Sequence, residues 1–228
     1  MYRSPHLSAP RSFSLLSLLC LIFAAWAWAL DADYLPDEKL IERIRREHGA
    51  PAAERVAKWG ALMQQLPAFD EMGRLRRVNA FVNSIPSATD MSIWGELDYW
   101  ATPLEFLVKN AGDCDDYALT KYFTLRSSGI PAEKLRISYV RAWLPKQMKM
   151  EAHMVLSYFP SPDADPLILD NLISDIRPAP ERTDLTPTHH FNAEGLWSAR
   201  QRGQNGRIGD ASRIGRWVGL LSRMKEGM

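Results

Sequence analysis

Cysteine is scarce in this chain: Cys20 and Cys114 are the two present among 228 residues. Cys20 lies in a stretch with the marks of a cleavable export signal, so one thiol is expected in the mature protein, and an internal disulfide is excluded. Charge of one sign is also missing. The 28 Lys and Arg nearly cancel the 27 Asp and Glu, which gives no reason to expect nucleic acid as a partner. After the N-terminus no run approaches the about 20 apolar residues that cross a bilayer. There is no internal repeat, low-complexity tract or Ser/Gly linker, so one compact unit is expected. Histidine is limited to five, and no cysteine–histidine cluster offers structural zinc a site.

Arg3, His6 and Arg11 form a positive leader, Phe13 to Ala25 is apolar, and Ala25-Trp26-Ala27 and Ala27-Trp28-Ala29 are overlapping small-x-small cleavage sites. Residues 1–29 are therefore expected to be a signal peptide, with an uncleaved anchor as the alternative. Leu19 before Cys20 argues against a lipid-modified cysteine. Removal takes Arg3 and Arg11 and leaves residues 30–228, roughly 200 residues, enough for one domain with a real core.

The first half of that domain reads as helical. Pro36-Asp37-Glu38 opens a helix with Leu40, Ile41 and Ile44 on one face, and Gly49 stops it. Pro51 opens a second with Val56, Trp59, Met63 and Leu66, ended by Pro67; Phe69, Met72, Leu75 and Val82 mark a third to Ser84. These stripes read as packing faces. Leu135 to Trp143, Ala152 to Phe159 and Leu167 to Leu172 read as strands separated by Pro-containing turns. A last helix is expected from about Asp210 to Met224. Arg200, Arg202 and Arg207 before it form a solvated surface or a substrate exosite. Helices first and a sheet afterwards predict an α+β fold.

Cys114 falls at the entry to a further helix. Gly112 and Asp113 supply a turn and a cap, and Tyr117, Ala118, Tyr122 and Leu125 follow helical spacing to Gly129. A thiol in a first helical turn feels the positive helix end, which favours thiolate, and a nearby backbone N–H can stabilise an oxyanion. Cys114 is the candidate nucleophile; a buried, inert cysteine is the alternative.

A cysteine nucleophile needs a base. His48 ends the first helix and reads as a capping residue; His189 and His190 sit in an expected Pro-Thr-His-His loop, with a surface or metal role. His153 opens a strand, and the turn from Pro160 to Pro166 separates it from the strand leading to Asp170. In a hairpin the two would be opposed or diagonal, within about 4.5–8 Å. Asp170 could then hold the imidazole tautomer with its other nitrogen toward the thiol. The alternative is a solvated aspartate near the turn.

Asp113, Asp115 and Asp116 surround the thiol, and their charge opposes thiolate. A divalent cation would reverse that penalty, and hard oxygen ligands suit calcium, which takes about 6–8 of them. In the other reading Asp113 caps the helix while Asp115 and Asp116 complement its positive end.

Gly112-Asp113-Cys114-Asp115-Asp116-Tyr117-Ala118, Lys121 to Arg126, Ala152-His153-Met154-Val155-Leu156 and Leu169-Asp170-Asn171-Leu172 resemble the bacterial transglutaminase-like cysteine proteinases of the LapG type. The likeness extends through Asp98 to Pro103, Phe191-Asn192 and Gly195-Leu196-Trp197, about residues 65 to 225. The resemblance implies a papain- and transglutaminase-like fold and a periplasmic endopeptidase with Cys114 as nucleophile, His153 as general base and acid, and Asp170 as orienting carboxylate. It implies calcium held by Asp113 and Asp115, less firmly by Asp116, with backbone carbonyls near Asp98 to Trp100. Family members release a large surface adhesin by cutting near its N-terminus, typically at paired alanines, and so promote biofilm dispersal. An inner-membrane receptor that reads cyclic-di-GMP restrains them. This chain departs at Asp115, where the family commonly has glutamate. A transglutaminase or cell-wall amidase could use the same three residues on the same fold, and a non-catalytic binding protein is a third class.

Overall fold

The computed structural model describes residues 35–199 and 206–227; the expected signal peptide, Arg200 and Arg202 lie outside them. Three helices open the described chain: α1 (Glu38–His48), α2 (Ala50–Gln65) and α3 (Glu71–Asn83). Each boundary has a local cause. The Asp37 carboxylate accepts the Leu40 N–H at 2.7 Å and the Asp70 carboxylate accepts the Gly73 N–H at 2.7 Å, each filling an orphan donor of a first turn. Between α1 and α2, Gly49 takes φ +84°, where a side chain would be strained. His48 is the last residue of α1, as expected.

Two short helices follow, α4 (Asp90–Trp94) and α5 (Pro103–Lys109), in a segment for which the sequence pattern gave no helix. At five and seven residues they are too short to show a periodic face. Thr102 and Glu105 form a reciprocal capping box at the start of α5.

The central element is α6 (Cys114–Ser127), in which every residue from Asp115 to Leu125 is buried. It packs on β2 and β1 of a seven-stranded antiparallel sheet, and α3 and α5 pack on it from other sides. The strands are β1 (Leu135–Leu144), β2 (Lys149–Tyr158), β3 (Leu167–Leu169), β4 (Arg177–Pro178), β5 (Leu185–Asn192), β6 (Gly195–Ser198) and β7 (Arg207–Gly209). Their order is β4-β3-β2-β1-β5-β6-β7. A final helix, α7 (Gly215–Glu226), lays Trp217 against Phe123 with ring centroids 5.5 Å apart. Trp59 of α2 donates its indole N–H to Thr124 at 2.8 Å, tying the helical half to α6.

This α+β arrangement agrees with the expected fold class, with three corrections. His189 and His190 are not in a loop; they lie in β5, opposite Tyr139 and Ser138 of β1. The strand expected to reach Leu172 ends at Leu169, because the Asp170 side chain accepts the Leu172 N–H at 3.0 Å and turns the backbone away. The last helix begins at Gly215 rather than Asp210, whose carboxylate caps the single turn Ala211–Arg213 instead. No helix among the described residues is long and apolar enough to cross a membrane.

Candidate active site

Cys114 is the first residue of α6, and the turn before it is tightly constrained. A Cβ on Gly112 would come within 2.5 Å of both the Asp116 carboxylate and the Phe106 ring, so only glycine lets the backbone pass. Asp113 and Asp116 then close the turn reciprocally. The Asp113 N–H donates to Asp116 Oδ2 at 3.2 Å, and the Asp113 carboxylate accepts the Asp115 N–H at 3.3 Å.

The backbone N–H of Met154, the residue after His153, lies near enough to the thiol to favour its thiolate, so α6 delivers Cys114 to the strand that carries the histidine. His153 pairs with Asp170 through Nε2 and Oδ1 at 2.8 Å, both side chains being buried. The β2–β3 register, Leu156 opposite Leu169, makes the two a diagonal pair. A carboxylate only accepts, so Nε2 carries the proton in this bond and Nδ1 is the nitrogen left to take another. No hydrogen bond joins the thiol to the imidazole among the described residues; Asp170 holds the ring through Nε2.

Asp170 is held from several directions. Arg182 Nη2 donates to its Oδ2 at 2.7 Å, and the Asn83 side chain donates to its backbone carbonyl at 2.8 Å. Burial alone would raise this carboxyl. His153, the Leu172 N–H and Arg182 together outweigh burial and hold it well below the usual carboxylate range. Arg182 also forks onto Asp184 at 2.9 and 2.8 Å. Lys121, two turns along α6 from Cys114, buries its amine near Asp170; burial brings it down to about 7.

Among the described residues no cation pairs with Asp90, Asp113, Asp115 or Asp116 beside the thiol, whereas Asp98 pairs with Arg216 at 2.8 Å. Burial first, then Asp115 and Asp113, push the Cys114 thiol well above its ordinary value, against the Met154 N–H. Asp115 is raised strongly by burial and by Asp113; Asp116 rises to about 8, and Asp90 to about 6, chiefly through burial. Single oxygens of Asp90, Asp98 and Asp115 lie within 4.8 Å of one another, as do those of Asp90, Asp113 and Asp116. Asp115 Oδ2 and Asp90 Oδ1 are buried without a hydrogen-bond partner. Both oxygens of Asp116, by contrast, are taken, Oδ1 by the Ala101 N–H at 2.8 Å and Oδ2 by Asp113. Orphaned, mutually repelling, buried carboxylate oxygens fit a hard divalent cation.

The structure thus gathers the sequence-identified acids and adds Asp90 and Asp98. Asp90 stands behind Thr89 at the start of α4, where it reads as an ordinary first-turn acid. Arg182 lies in a proline-bearing segment with no pattern to mark it. His189 and His190 are held by side chains of β1. His189 is against the Tyr139 ring at 4.3 Å, and His190 Nδ1 bonds Ser138 Oγ at 2.7 Å. Arg207 packs across the β6–β7 edge, donating to the Glu194 carbonyl at 2.7 Å.

Residues 57–194 match the family described as bacterial transglutaminase-like cysteine proteinase, BTLCP. A solved structure of Legionella pneumophila LapG is similar, with 39% identity and a TM-score of 0.70 over 82% of this chain and 96% of that one. The EGTA-treated form of that protein gives 39% and 0.71 over 82% and 96%. Its calcium-bound form gives 39% and 0.69 over 82% and 98%. No curated protein sequence matches the chain.

Proposed function

The chain belongs to the bacterial transglutaminase-like cysteine proteinases, and from that premise we propose that it is a calcium-dependent periplasmic endopeptidase using Cys114, His153 and Asp170. The carrying observation is the hydrogen-bonded His153–Asp170 pair beside a thiol at a helix N-terminus that lies near the neighbouring Met154 N–H.

His153 Nδ1 removes the proton from Cys114 Sγ as the sulfur attacks the scissile carbonyl carbon. Asp170, kept ionised by Arg182, stabilises the imidazolium that forms. The oxyanion lies at the start of α6, where first-turn N–H groups and the helix dipole favour negative charge. Collapse of the tetrahedral species breaks the C–N bond, and the imidazolium gives its proton to the leaving amine. A water, deprotonated by the same Nδ1, then attacks the thioester; its oxygen joins the carbonyl carbon, and Cys114 leaves with the proton.

The acid cluster needs a counter-charge for this chemistry. Legionella pneumophila LapG has calcium-bound and EGTA-treated forms. In this chain Asp90, Asp98, Asp113 and Asp115 would hold the ion, with Asp116 bracing the turn. Bound calcium would supply the positive charge that cancels the acids' opposition to thiolate. Asp115 is shorter than the glutamate common in the family, and Asp90 and Asp98 bring their oxygens to it.

Family resemblance supports the remaining reading. The substrate is the N-terminal region of a large surface adhesin, cut near paired alanines to release it and promote biofilm dispersal. Control comes from an inner-membrane receptor that senses cyclic-di-GMP. Digestion of candidate adhesin N-termini by the purified mature protein, with calcium and with EGTA, tests the reaction, its substrate and its metal. Calcium-dependent cleavage lost in Cys114→Ala is expected. Isopeptide or muropeptide products without peptide cleavage would transfer the site to a transglutaminase or amidase.

A further inference from the structure

A second polar site lies on the sheet face turned away from α6. Val140, Val155 and Ile168 form a small apolar cluster of their own, alternating along their strands with Tyr139, Leu156 and Leu169, which join the main core. Over that cluster is a cavity of about 240 Å³, walled by Arg136 and Arg182. Both arginines are more than nine-tenths buried, at 7% and 2% exposure. Arg136 Nε and Arg182 Nη1 have no hydrogen-bond partner. A buried guanidinium N–H without an acceptor is costly, and both of these belong to residues that wall the one cavity.

The surroundings define that acceptor. Arg136 is held between the rings of Phe159 and Trp197, 4.7 and 4.4 Å from their centroids, so its position is fixed by packing. Beside it run three linked polar groups. His190 Nδ1 meets Ser138 Oγ at 2.7 Å, and that oxygen meets Ser157 Oγ at 2.7 Å. The floor is aliphatic. Asp163 lines the cavity from the exposed β2–β3 loop, and its charge opposes a strongly hydrated dianion more than a monoanion. A single negative charge on a short apolar body meets all of these conditions.

We propose that this cavity binds a small organic carboxylate, its anionic end on Arg136 and Arg182 and its aliphatic part over Val140, Val155 and Ile168. The site is tied to the triad, because the guanidinium of Arg182 that walls it also holds Asp170. A ligand there competes for the same cation and is placed to tune the active site from behind. Binding itself stands whether or not the chain is a peptidase.

Butyrate is a suitable probe, with acetate and inorganic phosphate for comparison, each titrated calorimetrically into the wild-type mature protein. Saturable butyrate binding is expected, at least tenfold tighter than acetate or phosphate. Failure of butyrate to saturate, or preferential binding of phosphate, overturns the proposal. Arg136→Gln lies outside the catalytic machinery and should weaken butyrate binding tenfold or more while leaving basal cleavage unchanged; unchanged affinity in the folded variant overturns it. Should that variant not fold, the wild type still decides by NMR. Burial and Arg136 bring the His190 imidazole down to about 4, and a bound carboxylate should raise its titration midpoint. A midpoint that does not move at saturating butyrate counts against the assignment as firmly.

Discussion

Two groups of buried carboxylates meet this active site, and they are treated in opposite ways. Asp170 is surrounded by the protein's own donors, the His153 ring, the Arg182 guanidinium and a backbone N–H, and is held ionised. Asp90, Asp115 and Asp116 are equally buried, face one another, and are raised. The chain therefore supplies the counter-charge on the histidine side and leaves it to be supplied on the cysteine side. Only the second side can act as a switch, because what is built in covalently cannot be withdrawn.

Breaking the complete side should have the largest effect. Cys114→Ala, His153→Ala and Asp170→Ala are each expected to lower cleavage by roughly 10³-fold or more, since members of a triad fail as a unit. Steady-state assays on folded variants check this. A Cys114→Ala protein cutting at near wild-type rate would sink the mechanism. Next is Arg182→Met, which strands the buried oxygens of Asp170 and frees Asp184. Removing one partner of a buried ion pair costs about 3–5 kcal/mol, so the urea midpoint should fall steeply. A loss under 1 kcal/mol would mean Asp170 does not depend on this cation.

The incomplete side should answer with the opposite sign. In EGTA, Asp115→Asn and Asp90→Asn remove repulsion and are expected to stabilise the protein by about 1 kcal/mol, whereas in calcium they should weaken ion binding and destabilise it. Destabilisation under both conditions would refute the idea. The pH dependence follows the same logic. Asp90 and Asp116 titrate at about 6 and about 8 folded, against about 4 unfolded. The folded state then binds more protons, so in EGTA their contribution is lost as pH rises from about 4 to about 8. Asp170, depressed, contributes above the unfolded carboxylate value and loses its contribution only as pH falls through its own. Thermal melts across pH, with EGTA and with calcium, separate the two; an EGTA curve as flat as the calcium curve would contradict this account.

Much of this was legible in the chain because it was local or periodic. The capped turn at Asp113, the helical spacing after Cys114 and the hairpin symmetry relating His153 to Asp170 depend on neighbours in sequence. What could not be read arrives from elsewhere. Asp90 reaches the cluster from α4 and Asp98 from the loop before α5. Arg182 comes from beyond β4, where nothing in its local pattern distinguishes it from a surface arginine. His189 and His190 look like loop residues beside Pro187, yet β1 shifts register between Tyr139 and Val140 and admits that proline to a paired strand. The resemblance ranks Asp115 ahead of Asp116 as a ligand without giving a physical reason. Their hydrogen bonds separate them.

That separation gives the finest test. Asp116 has both oxygens occupied by the N–H groups of Ala101 and Asp113, whereas Asp115 keeps an orphaned one. An asparagine at 116 retains a single acceptor oxygen. It would keep the 2.8 Å bond to Ala101 and turn its amide toward the Asp113 N–H, whose 3.2 Å bond is the weaker. Asp116→Asn should therefore cost about 1–3 kcal/mol of stability, the penalty for one unsatisfied buried donor, in EGTA and in calcium alike. Its calcium affinity, measured calorimetrically, should fall by only a few fold, well short of the loss in Asp115→Asn. A loss as deep as that of Asp115→Asn would place Asp116 among the ligands, and its bracing of the turn would then be secondary to holding the ion.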